Sequence, residues 1–380
     1  MENQPGVHLL RGSDRATDVD ALAGRLGGRV GLHGVLGDLN RRARVVRVPA
    51  PAAVWGFRWD REDMRSPRWW PQGISTCAEA QGPDGTDGDG GTDRDGGTGN
   101  TAGRSLLVTT AYAQALDGPS HGARITVVDL TDPRDVRYRH VLLVEAFVRD
   151  DGAVDVRPVT VHAGGIVWHG RHLHVAGTAR GLSSFRLDDV LRVPAGDATR
   201  LGIRGDRVDA FGHRYVLPVR FTYDAHAEPG QEPMRYSFAS LDRSTRPHEV
   251  VVGEYGRDTM STRLARYEVD PVTSLLRADG DGRSLPTLLD DGGVPGMQGA
   301  TVVDGTWYVT NSRGRYRLGS VWVGRPGHLR ERRWQLPVGP EDLTYWPARD
   351  QLWSLSEYPG ARYVFAMPRE RFGPGPGAGR

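Results

Sequence analysis

Four segments of the chain begin alike: WPQGIST (70–76), VHAGGIVW (161–168), MQGATVV (297–303) and PEDLTYW (340–346) each place a polar residue and a small or turn residue ahead of an apolar strand. Behind the last three come a turn and a second strand, GRHLHVAGT (170–178), GTWYVTNS (305–312) and RDQLWSLSE (349–357). A third strand follows, GLSSFRLDD (181–189), LGSVWVGR (318–325) and ARYVFAMP (361–368). Strand, turn, strand, turn, strand is an antiparallel meander. From Gln298 to Glu341 the motif advances 43 positions, within the roughly 40–50 residues of a four-stranded propeller blade. With SFASLD (237–242), VVVGEY (250–255) and LARYEVD (264–270) as a divergent middle unit, the repeat predicts an all-β, five-bladed β-propeller; six blades are the alternative count, and a β-sandwich or two smaller barrels the alternative architectures. The last repeat has three strands before Pro368, while VWGFRWD (54–60) precedes the first and is unassigned. That N-terminal strand is expected to supply the outer edge of the final blade and so close the ring.

The propeller is thus expected over residues 45–370, with an appendage at 1–44 and a disordered tail at 371–380. Within the appendage, Asp18–Leu39 spaces its apolar residues three and four apart but carries six glycines, each weakening a helix by up to ~1 kcal/mol. One or two short helical turns are expected there. Residues 81–103, QGPDGTDGDGGTDRDGGTGNTAG, alternate Asp and Gly; without the closing glutamate of a calcium loop they read as a flexible, solvated insertion.

Composition removes whole mechanisms. All 49 residues of the Lys+Arg count are arginine, which excludes Schiff-base, PLP and P-loop chemistry. The single cysteine, Cys77, excludes an internal disulfide and cysteine-cluster metal sites. A net charge of +2 offers no field to recruit nucleic acid or a membrane surface, and no apolar run has the length of a span. The start of the sequence lacks the basic, apolar, cleavable pattern of a leader, so a cytoplasmic location is expected.

Residues just before each innermost strand of a propeller gather at one mouth of its central channel. The repeat therefore predicts that Gln72, His162, Gln298 and Glu341 meet there, framed by Trp70, Tyr345 and Tyr358. His162 is read as the acid or base, since an imidazole titrates near neutrality, and Glu341 as the complementary carboxylate. Glu341 and Asp342 are adjacent, so on a regular strand only one faces the channel. Glu254–Tyr255 and Glu357–Tyr358 repeat a Glu–Tyr pair at the ends of two second strands; blade-repeat packing is the favoured reading, with Glu254 also a substrate-binding candidate. Tyr215, beside Arg214, is a further candidate. His172 and His174 share one strand face at chelating spacing, which strand alternation places outside the core.

PQGIS, RPVTVHAGGI, SFASLDRS, VVGEY, MQGA, GPEDLTYW and SEYPGARYVFAMP resemble a group of actinobacterial, mostly secreted, hypothetical β-propeller proteins. More distantly, the strand starts and GTWYVTNS are similar to the strictosidine synthase, gluconolactonase and SMP-30 propellers. The resemblance implies a propeller with its metal or catalytic groups at the channel mouth. The chain departs from the second group in having five repeats and in Gln72, His162 and Gln298, where those families favour Glu, Asn or Asp. The expected function is acid–base chemistry (cyclisation, elimination or hydrolysis) on a small-molecule substrate, in natural-product biosynthesis. No cofactor is expected, a divalent metal in the channel being the alternative, and the protein is expected as a monomer or weak homodimer. A non-catalytic ligand- or protein-binding propeller and a metal-dependent hydrolase or lactonase are the competing readings.

Overall fold

The recurrent glycine of the strand-start motif has a packing reason. In the computed structural model, which describes residues 6–80, 103–116, 118–194 and 196–373, strands that begin with the motif approach one another backbone to backbone. A Cβ added at Gly165 would lie 2.0 Å from the Ala239 amide nitrogen, one at Gly73 2.9 Å from the Gly165 Cα, and one at Gly299 2.6 Å from the Asp342 Cα. Only glycine permits such contact. The inner strands Trp69–Thr76, Ile166–His169, Phe238–Asp242, Met297–Val303 and Pro340–Trp346 consequently neighbour one another in a closed cycle.

Each inner strand opens an antiparallel ladder running outward. Trp69–Thr76 pairs with Leu106–Ala113, then Ala123–Asp129, then Arg137–Val148. Ile166–His169 leads through His172–Gly177 and Gly181–Arg186 to Tyr215–Ala227. Phe238–Asp242 leads through Glu249–Gly253 and Arg263–Glu268 to Leu288–Asp291, and Met297–Val303 through Thr306–Asn311 and Leu318–Gly324 to Arg330–Val338. Pro340–Trp346 is followed by Gln351–Ser356 and Tyr363–Pro368, against which the N-terminal strand Trp55–Arg58 pairs. The architecture is an all-β, propeller-like fold with few helices.

One feature departs from separate meanders. Val216–Pro218 pairs in parallel with Leu142–Val144, merging the first two ladders into a 13-stranded sheet. Val7–Arg11 lies along the outer edge of Tyr215–Ala227, so the segment before residue 45 is woven into this sheet. The helical turns expected at 18–39 are Ala16–Arg25 and Gly31–Leu36, which bury Val19, Leu22, Ala23, Leu32 and Val35. The packed chain also runs beyond residue 370: Arg369–Phe372 form a 3-10 turn and Phe372 is 1% exposed. Residues 374–380 and the acidic segment 81–102 lie outside the described residues.

Apolar faces of successive ladders pack together. One cluster joins Phe57, Trp59, Ile74, Leu107, Tyr138 and Trp353; another joins Tyr236, Val250, Val252 and Tyr267 to Val7, Leu9 and Tyr223. Each large buried side chain contributes about 1.5–3 kcal/mol. Among the described residues no helix is long and apolar enough to cross a membrane.

Candidate functional site

Three of the motif-bearing strands share a second device. The ladders shift register between Pro71 and Ile74, between Met297 and Gly299, and between Pro340 and Leu343. A β-bulge re-aims the side chains it contains, and these contain Gln72, Gln298, Glu341 and Asp342. The expectation that only one of the adjacent acids engages the channel fails for this reason. Glu341 accepts a hydrogen bond from Gln298 Nε2 at 2.8 Å, while Asp342 Oδ2 accepts from the amides of Ile74 (3.1 Å) and Ile166 (3.4 Å). Both acids are buried, at 2% and 0% exposure.

A cavity of about 470 Å³ opens at this end of the channel, and its walls include Trp70, Gln72, Tyr112, His162, Gln298 and Tyr358. Glu357 is part of its lining, with Glu341 behind it beneath Gln298. Glu357 Oε2 accepts from Gln72 Nε2 at 3.2 Å, and the Glu357 carboxyl also hydrogen-bonds to Tyr358 and to Glu341. Burial, then the facing Glu357 and Asp342, push Glu341 well above the carboxylate range. Burial pushes Glu357 up to about 7, its hydrogen bonds and Arg362 working in the opposite direction. Two facing buried carboxyls ionise one at a time, and here Glu357 ionises first while Glu341 keeps its proton.

The hydroxyls nearby respond to the pair. Burial and then Glu357 and Glu341 raise Tyr112, and the same causes push Tyr358 up to about 12. His162 is exposed toward the cavity and its ring lies 4.2 Å, centroid to centroid, from that of Tyr112. Enclosure by the walls lowers its pKa from the ordinary histidine value. Beneath the site, Arg362 is fully buried and donates to the backbone oxygens of Glu357 (2.6 Å), Asp63 (2.7 Å) and Ser66 (2.9 Å). Its guanidinium lies 5.9 Å from the Trp70 ring centroid.

Of the sequence-derived candidates, Trp70, Gln72, His162, Gln298 and Tyr358 line the cavity, and Glu341 lies beneath Gln298. Three do not belong to it. Tyr345 sits toward the far end of its strand, donating to Asp350 Oδ1 at 2.8 Å. Glu254 is fully buried and accepts from Arg263 Nη2 at 2.7 Å and from the Arg235 amide at 2.9 Å, an ion pair that anchors a loop. Tyr215 is 1% exposed and donates to Asp38 Oδ2 at 2.9 Å, tying the N-terminal helices to the sheet. The pairing of His162 with Glu341 is likewise replaced: His162 meets Tyr112, and the partner of Glu341 is Glu357. His172 and His174 are buried, at 8% and 1% exposure, because their sheet packs its face against the next ladder, where Val167, Ala176 and Tyr223 meet Tyr236, Val250 and Tyr267. Among the described residues no three His, Cys, Asp or Glu side chains are grouped to hold a metal ion.

Sequence reasoning missed Glu357 as a site residue, together with Tyr112, Tyr255 and Arg235. The repeated Glu–Tyr pair was the available signal for Glu357, but it marked two strand ends alike. The structure separates them: Glu254 faces an arginine and Glu357 faces another acid.

No family model and no curated protein matches the chain. Three solved structures to which it is similar are β-propellers or include one. The Cps50 (Swd1) β-propeller domain of Myceliophteria_thermophila has a TM-score of 0.32 at 11% identity, over 69% of this chain and 92% of that one. XC5397 of Xanthomonas campestris, described as a gluconolactonase, has a TM-score of 0.32 at 15% identity, over 90% and 86%. The Dos1 propeller has a TM-score of 0.30 at 8% identity, over 76% and 70%.

Proposed function

We propose that the chain is a five-bladed propeller enzyme that performs acid–base chemistry, such as cyclisation, elimination or hydrolysis, on a small molecule bound at the channel mouth. The observation that carries this reading is the contact of two buried carboxyls at the cavity, Glu357 in its wall and Glu341 beneath Gln298, an arrangement in which burial raises Glu357 to about 7. A base of that pKa is half ionised at neutral pH and retains strong proton affinity. Glu357 takes a proton from the substrate, while protonated Glu341 donates a hydrogen bond to it and stabilises its charge when the proton leaves again. Gln72 and Gln298 hold the two carboxyls in place. Trp70, Tyr112 and Tyr358 supply apolar walls, and His162 faces the same space as a second proton carrier. The reading requires neither cofactor nor metal, and it places the whole site within one monomer.

The test is to incubate the full chain with fractionated small-molecule extracts and follow substrate loss by mass spectrometry. Glu357→Gln is expected to lower turnover by about 10²–10⁴-fold, and the kcat/KM of the parent protein is expected to rise with pH through about 7. Turnover unchanged in both Glu357→Gln and Glu341→Gln overturns the reading and leaves a ligand-binding propeller in its place.

A further inference from the structure

Three arginines stand in or against the walls of this cavity in a way that the proton chemistry does not use. Arg235 is part of its wall; its Nη2 donates to Ser261 O at 2.9 Å, and its Nε is buried without a hydrogen-bond partner. Arg257 lies over Tyr255, its guanidinium carbon 5.3 Å from the ring centroid, and Arg315 lies over Tyr358 at 5.9 Å. Both rings line the cavity. Arg257 also acts on the Tyr358 phenol, drawing its pKa down against burial and the two carboxyls, so it stands between the two tyrosines. Among the described residues neither Arg257 nor Arg315 forms an ion pair. Asp258, next along the chain from Arg257, is exposed. Other arginines differ: Arg263 is paired with Glu254, and Arg220 with Asp189.

An aromatic wall above carboxyl groups would by itself suit a cationic ligand. The charges reverse that preference. Glu341 is neutral and Glu357, at about 7, carries only part of a negative charge at neutral pH. Opposed to them are Arg235, Arg257 and Arg315 at the mouth and Arg362 below Trp70, the last still charged with a pKa lowered, chiefly by burial, to about 10. A guanidinium stacked on a ring is weakly hydrated and keeps its donor edge free for bidentate recognition of a carboxylate, phosphate or sulfonate. The cavity walls behind them, Trp70, Tyr112, Tyr255, Tyr358 and Met260, accept an apolar body.

We propose that the substrate is an anionic small molecule with an aromatic or apolar body, its anionic group held at the rim by Arg257 and Arg315 with Arg235, and its reacting end directed at Glu357. This specificity rests on the acid–base reading of the same cavity, so its test uses binding alone.

The probes are anilinonaphthalene sulfonate and the neutral N-phenylnaphthylamine, titrated by fluorescence against the full chain. The parent protein is expected to prefer the sulfonate, and the preference to shrink as salt screens the rim. An exposed charge pair contributes up to about fivefold in affinity, so Arg257→Gln with Arg315→Gln is expected to weaken sulfonate binding by about tenfold and the neutral probe by less than twofold. Arg257→Lys with Arg315→Lys retains most of the preference, and Trp70→Ala weakens both probes. Equal affinity for the two probes, sulfonate affinity unchanged in the double Gln variant, or sulfonate affinity unchanged in Trp70→Ala each overturns the proposal. The preference is expected to persist in Glu357→Gln; if that variant and Glu341→Gln both keep full turnover, the acid–base reading fails while the anion rim stands. Loss of the preference in Glu357→Gln overturns the rim and leaves the proton chemistry to be judged by turnover.

Discussion

Arg362 shows how a single side chain ties the fold to the chemistry. It is fully buried, donates to three backbone oxygens from two distant parts of the chain, and is one of the groups that holds the Glu357 pKa down. Methionine keeps the volume but leaves those carbonyls without donors in a dry environment, where each unmet group costs about 1–3 kcal/mol. Arg362→Met is therefore expected to lower unfolding free energy by about 3 kcal/mol in urea titration. In the molecules that remain folded, the titration of Glu357 moves above 7, so under the proposed acid–base function the ascending limb of the pH–activity curve shifts to higher pH. A variant as stable as the parent, or one with an unshifted limb, contradicts this account. At this scale the sequence was only partly legible. Gln72, Gln298 and Glu341 were readable because each occupies the same place in a repeated motif. Glu357 was not, because nothing in SLSEYPG distinguishes an acid facing another acid from Glu254, an acid facing an arginine.

Elements explain why the motif takes its particular form. A polar residue, a glycine and an apolar run satisfy three demands together: a bulge that turns the polar side chain toward the mouth, an inner backbone that admits its neighbour, and a strand with its apolar face in the core. Gly165 and Gly24 make a controlled comparison. At Gly165 a Cβ would meet the Ala239 backbone at 2.0 Å, whereas at Gly24, inside the helix Ala16–Arg25, it would meet nothing within 4 Å. Gly165→Ala is expected to cost at least about 3 kcal/mol or to prevent folding, while Gly24→Ala is expected to add about 0.5–1 kcal/mol. Thermal and denaturant unfolding of the two variants read both directions. The repeat made the inner strands, the second and third strands of the last four ladders and the closing strand at 55–58 legible, since these follow from local spacing, but not the partners of Trp69–Thr76, which lie beyond the acidic segment. It did not reveal the parallel junction of Val216–Pro218 with Leu142–Val144. Lateral neighbours at the outer edge are set by long-range packing, and both strands read simply as long β-branched runs.

Across the whole molecule, the burial of ionisable groups sets an acid limit on stability. Burial is the first cause that lowers nine histidines, six of them far: His140, His169 and His248 to about 4, and His172, His174 and His213 to about 3, with His8, His121 and His162 lowered as well. Several are crowded: His169 Nε2 lies 3.3 Å from His248 Nδ1, and the His172 and His174 rings stack at 5.9 Å. For such a group the unfolded chain binds a proton near 6.5 that the folded chain refuses, so its stabilising effect is complete above 6.5 and is lost as pH falls through that value toward the folded pKa. Carboxyls act in the other direction. Glu79 and Glu357, both raised chiefly by burial to about 7, hold a proton in the folded state that the unfolded chain releases near 4.5, so their contribution declines as pH rises from 4.5 to 7. Glu341 and Asp342, also raised, add to this opposing set. The six most depressed histidines against four carboxyls leave the unfolded state binding at least about two protons more near pH 5.5, and His8, His121 and His162 add to the same side. Melting temperature is thus expected to fall between pH 7 and pH 5, by several degrees per proton in excess. Replacing His174, which is 1% exposed with Nδ1 2.8 Å from Ser184 Oγ, by glutamine removes one titrating group from the excess. His174→Gln is expected to flatten the slope of stability against pH between 6.5 and 5 by up to about one proton, whatever it does to stability at pH 7. Unfolding followed in urea at closely spaced pH values measures that slope, and an identical slope in the variant and its parent would show that His174 titrates alike in both states.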